Sequence, residues 1–241
     1  MPKTIAPVCE ELRLNDTFRF EDHFLSYTDA QMWTKAIGDT GTVAASDALG
    51  GVLVITPSDG TAADNDQASI QTTQELFLFA ADKPFAIEFD IQYAEAATNV
   101  ANVAAGVMNA FAADRALVDG GLGPVATTHS SAMIYKVDGA TVWKAESCVV
   151  TTQTISTSDK TAGGTPYQRL RIDFQPTTAL QGEVTFWVDG AQLVDSTTGK
   201  PIKHTVLFAS ATEMAAFVTV KNGSAVVQPM NVHRVAFQGR A

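Results

Sequence analysis

Apolar and polar residues alternate with a period of two along most of this chain, and sustained helical spacing is rare. Phe85, Ile87, Phe89 and Ile91 share one face of a strand, while Glu88, Asp90 and Gln92 share the other. Leu170, Ile172 and Phe174, then Val184, Phe186 and Val188, repeat the pattern in two runs that form a hairpin within residues 167–194. Phe18, Phe20 and Phe24 mark a first strand, and Val52–Thr56, Val103–Met108, Met133–Val137 and Thr141–Val150 mark others. Leu76–Phe79 is apolar on both faces and predicts a strand covered on both sides. Asp-Gly pairs at 138–139 and 189–190 predict tight hairpin turns, because both positions of such a turn need positive φ.

Two short helices are expected, at 29–37 and 110–118, the second ended by Gly120–Gly121. The Thr- and Ser-rich stretch 151–165 reads as a loop. Ten or more short strands without a long helix predict an all-β fold of two packed antiparallel sheets. No repeat or linker divides the chain, so one β-sandwich domain is expected over 18–241. It is preceded by an extended arm, 1–17, in which Pro2 and Pro7 oppose an early helix.

The chain has 241 residues, 46% hydrophobic and 17% charged, enough to bury a sizeable core. Its net charge of -10 disfavours nucleic acid, since an acidic surface repels phosphates and the 16 basic residues form no run. No apolar stretch approaches the length of a membrane span, and the N-terminus lacks the pattern of a signal peptide. Synthesis as a soluble cytoplasmic protein is therefore expected. Cys9 and Cys148 could form one disulfide, but two idle thiols fit this low cysteine density better.

Lys83–Pro84 with the 85–93 strand, Ala105–Met108, Tyr167–Ile172 and the Val184–Gly190 strand and turn together resemble the concanavalin-like, laminin-G-like jelly-roll family. The likeness in element order covers residues 18–238. The chain also resembles members of this fold found among tailed-bacteriophage structural proteins, through its Ala- and Thr-rich texture and the stretch 33–51. That resemblance implies a non-enzymatic capsid-decoration or cement protein on the virion surface. Its partner would be the major capsid protein, and it would form a homo-oligomer. The alternative is a carbohydrate-binding, lectin-like module on a virion surface.

Candidate chemistry narrows the choice. Laminarinase-type glycosidases on this fold carry Glu-x-Asp-x-Glu on one strand face, and a retaining pair needs carboxyls about 5–5.5 Å apart. Here Glu88 and Asp90 are followed by Gln92, whose amide can act neither as nucleophile nor as acid, so no catalytic residue is assigned. Asp59, Asp64, Asn65 and Asp66 form an oxygen-rich loop that could hold Ca²⁺, but without EF-hand spacing. The four histidines are dispersed, which disfavours zinc. Alternation sends Trp187 to the polar face with Arg169 and Arg171. These three, with Trp143, are the candidate residues for a protein or glycan partner. A covering loop, 151–165, is the plainer explanation for Trp187.

Overall fold

A computed structural model describes residues 17–38, 40–58, 61–95, 99–126 and 128–240. The strands run β1 (Thr17–Asp22), β2 (Trp33–Gly38), β3 (Thr42–Ser46), β4 (Val52–Thr56), β5 (Gln67–Thr72), β6 (Phe85–Tyr93) and β7 (Ala101–Met108). A four-residue helical turn, α1 (Ala113–Ala116), precedes β8 (His129–Lys136), β9 (Val142–Val150) and β10 (Thr152–Thr161). Then follow β11 (Gly164–Pro176), β12 (Gln181–Val188), β13 (Ala191–Gln192), β14 (Lys203–Leu207), β15 (Ala215–Asn222) and β16 (Met230–Arg240).

These strands build two antiparallel sheets, as the alternation predicts. Sheet A has the order β13-β12-β11-β6-β16-β4-β3, with β1 also on β16 and β14 also on β12. Sheet B has the order β10-β9-β8-β7-β15-β5-β2. The core lies between them. The six apolar residues of the β11–β12 hairpin face it and are fully buried, in the register Leu170↔Val188, Ile172↔Phe186 and Phe174↔Val184. Phe85, Ile87, Phe89 and Ile91 join them from β6. The Asp189–Gly190 turn has φ of 55° and 80°, as its sequence requires. At 138–139 only Gly139 takes positive φ, and the β8–β9 connection spans the wider stretch 137–141.

Several local expectations give way to pairing. The stretch 29–37 is not helical. Its second half is β2, which pairs with β5 in the register Ile37↔Ala68, and Trp33 is buried at its start. The 110–118 helix shrinks to α1. Residues 151–165 are mostly strand, because the β-branched Thr and Ile residues of β10 pair along β9 at the sheet edge. The 76–79 stretch makes only an isolated bridge, Phe77↔Met214, yet Phe77 and Phe79 enter the core as their hydrophobicity demands. The N-terminal arm and Cys9 lie outside the described residues apart from Thr17, which begins β1. Cys148 is a free, buried thiol.

Both outer faces are specialised. The outer face of sheet B is roofed around α1 by Leu117 and Phe111, which pack on Ala104, Met133, Tyr135 and Phe217. Lys221, wholly buried, donates to Leu117 O at 3.0 Å and to the Asp119 carboxylate, and so ties this roof down. The outer face of sheet A is polar. No helix among the described residues is long and apolar enough to cross a membrane.

Candidate functional site

The polar face of sheet A is a grid set by strand register. Trp187 (β12), Arg171 (β11), Glu88 (β6), Ala236 (β16) and Glu21 (β1) form one cross-strand row. Arg169, Asp90 and Arg234 form the next. Opposite charges therefore meet across neighbouring strands. Arg234 donates to Glu88 at 2.6 Å, to Asp90 at 3.1 Å and to Glu21 at 3.1 Å. Arg169 donates to the other Asp90 oxygen at 2.9 Å, and Arg171 grips Asp173 through two bonds of 2.8 and 2.6 Å.

This network decides what Glu88 and Asp90 can do. Guanidinium donors bind Glu88 Oε2 and both Asp90 oxygens, and Gln92 is bound to Thr165 O and to Asn231. Such charge-assisted bonds are among the strongest a carboxylate makes, so both acids tie neighbouring strands together. Burial alone would raise the Glu21 carboxyl, but Arg234 and His23 beside it hold it below the usual carboxylate range. Burial raises Asp173, against the pull of Arg171.

Three of the sequence-chosen residues, Arg169, Arg171 and Trp187, share this face. Trp187 is half-buried, and the Arg171 guanidinium lies over it, 5.6 Å from the indole centroid. Trp143 does not belong to the face. It is fully buried on the core side of β9, and its Nε1–H donates to Gln168 at 3.2 Å. Alternation along β9 gives the reason, since Trp143 and Ala145 point inward while Lys144 and Glu146 point outward. Asp64 is exposed, and the Asp66 carboxylate accepts from Ala63 N at 2.8 Å as a turn cap. Asp59 lies outside the described residues.

One end of the face carries groups the sequence reading passed over. Tyr167 is 40% exposed, and its ring lies 5.5 Å from that of His233, which lies 5.8 Å from that of His23. His233 is the extra residue of a β-bulge: β16 shifts register against β6 between Val232 and Arg234. Tyr167 has the same parity as Arg169 and Arg171, so the β11 alternation already pointed it outward. The His233 bulge left no comparable mark in the sequence. His23 and Glu21 also line a cavity of about 360 Å³ with Asp22, Tyr27, Gln31 and Trp33. Trp33 Nε1–H donates to Asp22 at 2.8 Å, which fixes this wall. Ordinary ligand pockets begin at about 300 Å³.

The roofed face of sheet B holds a second group. His129 Nε2 lies 3.2 Å from Glu146 Oε1, and Ser131 donates to both Glu146 oxygens at 3.0 and 2.8 Å. Cys148 completes it; donor atoms of His129, Glu146 and Cys148 all lie within 4.8 Å of one another. Burial alone would lower the His129 imidazolium, but hydrogen bonds and charge from Cys148 and Glu146 push it up to about 10.

No protein-family model matches the chain, and no curated protein matches it in sequence. Solved structures do match in shape. The potassium-bound carbohydrate recognition domain of Emp46p superposes with a TM-score of 0.58 at 14% identity, over 90% of this chain and 94% of that one. An endo-1,3-beta-glucanase from Streptomyces sioyaensis gives 0.61 at 15%, over 94% and 98%. Lectin II from Ulex europaeus gives 0.55 at 11%, over 94% and 100%. None of these three is named as a virion protein, so capsid decoration, the major capsid protein as partner and a virion location rest on the sequence resemblance alone. At such identities the likeness speaks for architecture only: the chain has the concanavalin-like jelly-roll fold, with two antiparallel sheets.

Proposed function

We propose that this protein is a non-enzymatic carbohydrate-binding module, taking glycans at the Tyr167 end of sheet A. The observation that carries the reading is the series of ring contacts from Tyr167 through His233 to His23, which itself lines the cavity shared with Tyr27 and Trp33. A sugar ring presents an apolar C–H face and a rim of hydroxyls. Tyr167 offers an exposed aromatic surface to the first, as amphipathic aromatic rings do at binding sites. Arg169, Gln31 and the carboxylates of Glu21 and Asp22 offer donors and acceptors to the second.

Support also comes from neighbours named as carbohydrate recognition domains and lectins. The glucanase neighbour raises hydrolysis as the rival. Against it stand Gln92 in the third position and the arginines on Glu88 and Asp90. A glycan array probed with the intact chain tests the reading. Reproducible hits without product release in a reducing-sugar assay support it, and an empty array overturns it.

A further inference from the structure

We propose that His129, Glu146 and Cys148 form a buried site for a borderline-soft divalent transition metal of the zinc class. The site lies under the roof of sheet B, away from the glycan face, and stands independently of the glycan reading.

Register brings the donors together. Glu146 and Cys148 are two apart on β9, so both point outward from sheet B, and His129 and Ser131 do the same on β8. The pairs Ser131↔Cys148 and Met133↔Glu146 place His129 beside Cys148 on the diagonal. The resulting set is one imidazole, one carboxylate and one thiol, with exposures of 2%, 0% and 0%. Calcium and magnesium take oxygen ligands, whereas sulfur and nitrogen together select zinc and its neighbours. Tetrahedral N and O ligands at about 2.0–2.1 Å from zinc stand about 3.3 Å apart. The His129–Glu146 separation is 3.2 Å, so this edge needs almost no movement. The donor atom of Cys148 lies within 4.8 Å of the other two and would move in to close the triangle.

Charge agrees. A thiolate and a carboxylate neutralise a dication, which suits a buried site. Ligation needs a neutral imidazole and a thiolate, so the protons that His129 and Cys148 carry are released as the metal–nitrogen and metal–sulfur bonds form. An outer shell is present too. Ser131 holds both oxygens of Glu146, and the Gln153 side chain donates to Glu146 at 3.4 Å and to Val125 O at 2.9 Å. Such groups orient metal ligands. Gln153, half-buried on edge strand β10, marks the side from which an ion enters. Three protein ligands leave one tetrahedral position for water.

The test is a Co²⁺ titration of the intact, chelator-treated protein under reducing conditions. One equivalent should produce a thiolate-to-cobalt charge-transfer band, and Zn²⁺ should abolish it by competition. Cys148→Ser should lose the band and keep the wild-type circular dichroism, whereas Cys9→Ser should retain it. Ser131→Ala should weaken Zn²⁺ binding about 10–100-fold. Absence of the band from folded wild-type protein, or its persistence in Cys148→Ser, overturns the site.

Discussion

Arg234 on β16 donates to Glu88 on β6 across 2.6 Å, and the same guanidinium reaches Asp90 at 3.1 Å. The two carboxylates that most suggested glycosidase chemistry are therefore parts of a cross-strand ion network.

Removing the cation leaves both acids beneath the surface without it. Arg234→Met should destabilise the fold by about 3 kcal/mol, since breaking a buried pair from one side strands the other charge. The triple variant Arg234→Met, Glu88→Gln, Asp90→Asn should recover much of the loss. Urea unfolding of both proteins at neutral pH measures the difference.

His204 gives a pH dependence on the acid side. It projects from β14 between the sheets, with Nδ1 3.0 Å from Ser147 Oγ on β9 and Nε2 3.0 Å from Ser156 Oγ on β10. Burial lowers its pKa to about 4. The unfolded chain, with an ordinary histidine near 6.5, binds the extra proton first. Stability from neutral His204 is thus complete above pH ~6.5 and is lost as pH falls toward about 4. Thermal midpoints measured over this interval should fall more steeply for wild type than for His204→Gln.

The two tryptophans should separate by stability. Trp143→Ala empties a fully buried site and should cost about 3–5 kcal/mol. Trp187→Ala removes a half-buried ring under Arg171 and should cost no more than about 1–2 kcal/mol. Denaturant midpoints of the two variants make the comparison.

These contrasts show where the fold could be read in the chain. Period-two alternation is a property of residues near one another, so the inner faces of β6, β11 and β12 were legible, as was the outward placement of Arg169, Arg171 and Trp187. Pairing between distant segments is not local. Trp33 and Ile37 looked helical until β5 supplied a partner strand, and the Thr-rich 152–161 segment became β10 only because β9 offered an edge. Trp143 was misplaced because its aromatic character was weighed ahead of the parity it shares with Ala145. The candidate site was half legible for the same reason. Tyr167 follows the alternation of β11, but a bulge turns His233 toward it, and the approach of His23 depends on β1 lying against β16. The grouping of His129 with Glu146 and Cys148 likewise needs the β8–β9 register, since His129 and Glu146 stand 17 positions apart in the sequence.

Titration calorimetry of the best array glycan against wild type, Tyr167→Ala and His23→Ala tests carbohydrate binding at the ring line most directly. Wild type should bind with a measurable heat. Each variant should keep the wild-type unfolding midpoint yet bind at least tenfold more weakly, about 1.4 kcal/mol. Unchanged affinity in both variants, or no heat from wild type with any array glycan, would contradict the account.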